Sequence, residues 1–218
     1  MCTANCILFG FRALKAPDVG GRRVLEVGSR NCNGGLRVIV ESFSPGEYIG
    51  VDAEAGPGVD RVCRAEAIAD VFGEESFDVV ISTEMLEHVR DWRSAISNMK
   101  RVCRRGGLIV LTTRSIGFPY HGYPTDFWRY EPEDIQAMFS EMEILMLERD
   151  EQDVPGVFAK VKKTPEFTEA NLTGLQLYSV IDRRRVHDLD ERSLRNFLDM
   201  LRIRTMLSTS FPPLFPRI

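Results

Sequence analysis

Only three histidines and two tryptophans occur in the 218 residues, and the five cysteines (Cys2, Cys6, Cys32, Cys63 and Cys103) include no CxxC pair. A structural zinc site draws on closely spaced cysteine and histidine pairs, and a disulfide scaffold on a dense, even cysteine framework. Both are excluded. HExxH and tight acid clusters are also missing, so no metal site is expected. Long hydrophobic runs are absent: the apolar stretch Cys6-Ile7-Leu8-Phe9-Gly10-Phe11 is too short to span a bilayer and has no basic leader or small-residue cleavage site. No membrane span is expected. Neither sign of charge dominates, since 28 Lys and Arg stand against 32 Asp and Glu, which argues against general nucleic-acid binding. Scattered thiols suit a reducing compartment, and the expected location is the cytoplasm.

What the chain does contain is alternation. Short apolar runs at 23–27, 48–52, 59–63, 77–82 and 108–112 read as strands, with helical spacing at 35–42 and 91–104 between them. Near-continuous apolar strands are those covered on both faces, so the pattern predicts a doubly wound, mostly parallel α/β sheet. Two further strands, 143–147 and 157–161, are joined by a polar piece too short for a helical crossover, which predicts an antiparallel pair. Residues 1–163 form the expected sheet domain. Residues 164–218 form the expected helical extension, with helices at 172–185 and 189–207, serving as cap, lid or homodimer contact.

In an open α/β sheet, ligands bind beyond the carboxyl ends of the strands where strand order reverses. Strand one runs as Val24-Leu25-Glu26-Val27-Gly28 into the polar loop Ser29-Arg30-Asn31-Cys32-Asn33-Gly34-Gly35, and Gly28 lets backbone pass close to a ligand. Strand two, Tyr48-Ile49-Gly50-Val51-Asp52, ends in an acid placed to accept the two hydroxyls of a ribose. Strand four and its exit read Ser76-Phe77-Asp78-Val79-Val80-Ile81-Ser82 and Met85-Leu86-Glu87-His88-Val89, and strand five is entered through Arg105-Gly106-Gly107.

These four segments, in this order over residues 22–162, resemble class I S-adenosylmethionine-dependent methyltransferases. The resemblance implies a Rossmann-like fold of seven strands with an antiparallel last strand, S-adenosylmethionine as cofactor and S-adenosylhomocysteine as product. It places Glu26, Gly28, Ser29, Arg30 and Gly34 along the methionine side, Asp52 and Ala53 at the ribose, Ala65 and Glu66 along the adenine, and Thr83 and Glu84 near the sulfonium. Arg30 and Cys32 stand where the family's later glycines would be, and Arg64 where an acid is common.

Methyl transfer needs donor and acceptor held in line, with a base where the acceptor carries a proton. His88, at the strand-four exit, and His121, which opens the run His121-Gly122-Tyr123-Pro124-Thr125-Asp126-Phe127-Trp128-Arg129-Tyr130, are the catalytic candidates. In that loop Tyr123, Asp126, Trp128 and Arg129 are the candidate acceptor contacts, the competing reading being a self-packed loop with Asp126 paired to Arg129. The expected acceptor is a small molecule or glycan methylated on oxygen or nitrogen. A nicotinamide-dependent oxidoreductase shares the strand–loop–acid arrangement, and a non-catalytic nucleoside-binding module would tolerate the eroded glycines; both stand as alternatives.

Overall fold

The computed structural model describes residues 3–32, 34–122, 125–150 and 154–210, with side chains as far as residue 203. Two helices, α1 (Ala4–Ala13) and α2 (Ala16–Val19), precede the first strand. There follow β1 (Arg23–Val27), α3 (Arg37–Ser42), β2 (Glu47–Asp52), β3 (Arg61–Val62), α4 (Ile68–Phe72), β4 (Phe77–Thr83), α5 (Trp92–Val102) and β5 (Cys103–Arg114). The remainder is β6 (Trp128–Arg129), α6 (Pro132–Met138), β7 (Glu143–Asp150), β8 (Gly156–Lys162), β9 (Leu177–Ser179), β10 (Arg184–Val186) and α7 (Glu191–Ser210).

Seven strands form one sheet in the order β3-β2-β1-β4-β5-β8-β7. All neighbouring pairs from β3 to β5 are parallel, and β8 runs antiparallel to both β5 and β7. This is the seven-stranded arrangement the motifs imply, and the inserted antiparallel strand departs from the 3-2-1-4-5-6 dinucleotide sheet. One face packs on α1, the loop residues around Leu36 and α3, through Phe9, Leu36, Val40, Val24, Ile81 and Val110. The other packs on α4, α5 and α6, through Ile68, Trp92, Ile96, Met99, Ile135 and Val80. In α5 the buried residues Trp92, Ala95, Ile96, Met99 and Val102 form the apolar stripe that the sequence spacing requires. Asp91 caps its start by accepting the Ser94 N–H at 3.1 Å.

The C-terminal part differs from expectation. Residues 172–185 are not a helix: β9 and β10 pair antiparallel, and β9 also pairs with β6 to give a second, three-stranded sheet. Alternating burial in β9, with Leu177 and Ser179 inward and Tyr178 half-buried, is a two-residue period. The turn between the two strands uses Arg183 at φ 53°, a left-handed position with no glycine to announce it. The final helix agrees, α7 starting two residues later than read from sequence. Among the described residues, no helix is long and apolar enough to cross a membrane.

Candidate active site

Strand order reverses between β1 and β4, and the loops leaving β1, β2 and β4 meet there. Gly28 turns at φ 83°, and Gly28 N and Ser29 N both donate to Val51 O, at 2.8 and 3.0 Å. The next amide, Arg30 N, donates to Asp52 Oδ2 at 3.2 Å, while Glu54 N donates to Asp52 Oδ1 at 3.1 Å. The carboxylate is therefore oriented by backbone. Each oxygen keeps a lone pair for an incoming hydroxyl, and the residue is half-exposed. Gly50 is needed for this approach: a Cβ there would lie 2.4 Å from Gly58 O and 2.7 Å from Ser29 Oγ. That Ser29 hydroxyl is buried without a hydrogen-bond partner, an orphaned polar atom on the residue before the amide that orients the acid. These groups fit a nucleoside.

Glu26 lies beneath the same loop, almost fully buried, and accepts the Tyr48 hydroxyl. Burial pushes its carboxyl from 4.5 up to about 7. Gly34 takes φ 105° with its N–H on Asn31 Oδ1 at 2.8 Å, so Asn31 and Gly34 together bend the loop. Arg30 pairs with Glu54 across the two loops. Ala53 is exposed, and Ala65 and the half-buried Glu66 form a short turn just beyond β3, where an adenine edge would lie. Thr83 ends β4, buried.

Glu84 follows at φ 53°, a strained position for a non-glycine residue at a switch point. Its side chain turns inward: it pairs with buried Arg114 and accepts Cys6 Sγ–H at 3.2 Å. Burial and then the neighbouring Glu87 raise its carboxyl to about 7, and burial and Glu84 push the Cys6 thiol to about 12. Glu84 thus anchors the N-terminal helix to the end of β4.

Residues 125–130, the loop read from sequence as the acceptor contact, are stitched to the exit of β4. Phe127 N donates to Glu87 O at 2.8 Å, Tyr130 Oη to Leu86 O at 3.1 Å, and Trp128 Nε1 to Val89 O at 3.1 Å. Asp126, Trp128 and Arg129 are buried and bonded inside the protein, with Asp126 taking a bidentate pair from Arg129. Their contribution to the site passes through His121, whose Nδ1 meets Asp126 Oδ2 at 2.8 Å. Tyr123 lies outside the described residues. His88 Nδ1 meets Thr125 O at 2.9 Å, and the two imidazoles stand with ring centroids 4.8 Å apart.

Glu87, passed over in the sequence, sits under both rings with no exposed surface. Thr113 Oγ1 donates to its Oε2 at 3.0 Å, and its Oε1 lies 3.8 Å from His121 Nε2. Burial alone would lower the His121 pKa, but its bond to Asp126 and the Glu87 carboxylate raise it to about 9. Burial likewise opposes ionisation of Asp126, yet Arg129 and then His121 hold its carboxyl well below the usual range. Beyond this loop, Phe118, Tyr120, Tyr178, Phe197 and Met200 line an open cleft of about 330 Å³ between residues 117–120, β9 and α7.

Residues 31–111 match the family model of a methyltransferase domain. An uncharacterized methyltransferase of Mycobacterium sp. (strain KMS) is 36% identical over 139 residues, covering 59% of this chain and 53% of that protein. Ubiquinone biosynthesis O-methyltransferase of Sinorhizobium fredii is 33% identical over 123 residues, covering 50% of this chain and 47% of the relative. The chain spans about half the length of these curated relatives. Among solved structures, 1,6-didemethyltoxoflavin-N1-methyltransferase of Burkholderia thailandensis, with bound 1,6-didemethyltoxoflavin and S-adenosylhomocysteine, superposes at a TM-score of 0.55. That match covers 72% of this chain and 78% of the other at 15% identity, a likeness of fold.

Proposed function

We propose that this chain, a class I S-adenosylmethionine-dependent methyltransferase by fold and by family match, binds S-adenosylmethionine at the mouths of β1, β2 and β4 and methylates oxygen or nitrogen of a small-molecule or glycan-type acceptor. The observation that carries the cofactor half is the Asp52 carboxylate, oriented by Arg30 N and Glu54 N directly beside the Gly28 bend. When bound, the cofactor supplies a methyl already activated on a sulfonium. The chain's own task is then to fix the acceptor in line at near-attack distance, an effect that supplies about 7 to 11 kcal/mol in well-oriented systems.

Asp52 and Ala53 would hold the ribose, Glu26, Gly28, Ser29, Arg30 and Gly34 the methionine side, and Ala65 and Glu66 the adenine edge. Thr83 would close the pocket, with Glu84 holding that corner through Arg114. His88 and His121 divide by their hydrogen bonds. His88 donates its Nδ1 N–H to the Thr125 carbonyl, which leaves the Nε2 lone pair for the acceptor side, as base or as ligand. His121, set between Asp126 and Glu87, is cationic at neutral pH and orders the loop. The cleft lined by Phe118, Tyr120 and Phe197 offers apolar surface for the body of an acceptor.

Calorimetry with S-adenosylmethionine and S-adenosylhomocysteine tests the reading. Binding of both is expected, with S-adenosylhomocysteine competing for one site. Absence of binding at about millimolar ligand, where the association free energy is only about 4 kcal/mol, refutes it.

A further inference from the structure

Glu87, His88 and His121 bring one ligand atom each to within 4.8 Å of one another. Two further observations point to an occupant. First, each imidazole is fixed through Nδ1, His121 by the Asp126 carboxylate and His88 by the Thr125 carbonyl. Such bonds set the tautomer that leaves Nε2 as donor atom, as the outer partners of metal-bound histidines do. Second, Glu87 is wholly buried, yet its Oε1 has no hydrogen-bond partner, and neither has His121 Nε2. Their 3.8 Å separation is too long for a charge-assisted hydrogen bond, which would close to about 2.7–2.9 Å. Donors about 2.1 Å from one ion stand about 3 to 3.4 Å apart, so closing around a cation takes a contraction of about half an ångström between Glu87 and His121 and of up to about 1.5 Å for the widest pair of the three.

We propose that Glu87, His88 and His121 form a binding site for a divalent first-row transition-metal ion, with the acceptor's reacting atom as an added ligand. Two imidazoles and one carboxylate are the donor set that such ions take with positions left open. The acceptor clause rests on the methyltransfer reading; the ion itself does not. Asp126, neutralised by Arg129, and Thr113 on Glu87 Oε2 complete the outer shell. Binding displaces the proton on His121 Nε2, as an imidazole ligand requires.

The test uses chelator-stripped full chain titrated with Co²⁺ alone, followed by visible d–d absorption and calorimetry, with no cofactor or acceptor. One equivalent is expected to bind at micromolar or tighter affinity, at least about 100-fold weaker in His88→Gln and in His121→Gln. His187→Gln, a surface histidine bonded to Gln176, is expected to bind as the parent. Circular dichroism checks that each variant is folded; because Glu87→Gln alters a buried charge, the two partly exposed histidines carry the decision. A dissociation constant weaker than about 1 mM, affinity undiminished in both histidine variants, or an equal loss in His187→Gln overturns the proposal. Titrating S-adenosylmethionine into the same stripped protein separates this failure from failure of the methyltransfer reading.

Discussion

Replacing Glu26 with Gln is expected to stabilise the protein at alkaline pH and to leave it unchanged near pH 4.5. Burial raises the folded-state carboxyl from 4.5 to about 7. Below 4.5 the group is protonated in both folded and unfolded chains, and it contributes no difference. Between 4.5 and about 7 the unfolded chain releases the proton while the folded one keeps it, so stability falls as pH rises; above about 7 the full penalty is present. At about 1.4 kcal/mol per pH unit the penalty reaches about 3 kcal/mol. Gln stays neutral and still accepts the Tyr48 hydroxyl, which burial keeps protonated. Urea denaturation of both proteins from about pH 4.5 to 8 is expected to show a difference that grows to about 2–3 kcal/mol. Near neutral pH that corresponds to a melting shift of roughly 4–12 °C for a chain of this size. Glu84 titrates in the same window, but it is common to both proteins and cancels in the difference. A difference that does not change with pH would refute the assignment of Glu26 as a buried, proton-holding acid.

Asp52→Ala is expected to weaken S-adenosylmethionine binding about 100-fold, as two hydrogen bonds to a charged acceptor worth about 1.5 kcal/mol each would give; calorimetry on a folded variant with unchanged affinity removes the ribose assignment. Gly28→Ala places a Cβ 2.5 Å from Met85 Cγ on a backbone at φ 83°. A loss of about 2 kcal/mol or more is expected, and adding Met85→Ala is expected to relieve the contact but not the roughly 1–2 kcal/mol of backbone strain. Asp126→Asn leaves the buried Arg129 guanidinium without its counter-charge, at an expected cost of about 3–5 kcal/mol in denaturation, part of which Arg129→Met in the same chain restores.

The sheet was legible because each of its longer strands carries its own apolar run between turn signals, and both β1 and β2 end in residues whose chemistry names their place. What escaped was short or distant. Strand β6 has two residues and β9 and β10 three each, too few for a period to register; β9 and β10 form a short hairpin, and β6 joins it only by pairing with β9 across about fifty residues of chain. At the site, His88 and His121 were each legible as isolated candidates, yet nothing local says that β5 and its loop return one to the other. Glu87 gave no signal at all, since an acid beside a histidine in a short turn reads as solvent-facing until Thr113 and the two rings are placed around it. Asp126 and Arg129, three residues apart and polar, allowed two readings, contacts for a ligand or a pair inside a self-packed loop; the fold takes the second, with Arg129 on Asp126 and Asp126 on His121.

The ribbon formed by β6, β9 and β10 imposes an order on biosynthesis. The residues proposed to hold the nucleoside all lie at or before position 84, whereas β9 and β10, which brace the loop at 125–130, lie at 177–186, about ninety residues and several seconds of translation later. Synthesis from the N-terminus therefore supplies every residue of the proposed donor half before the strands that shape the receiving half exist.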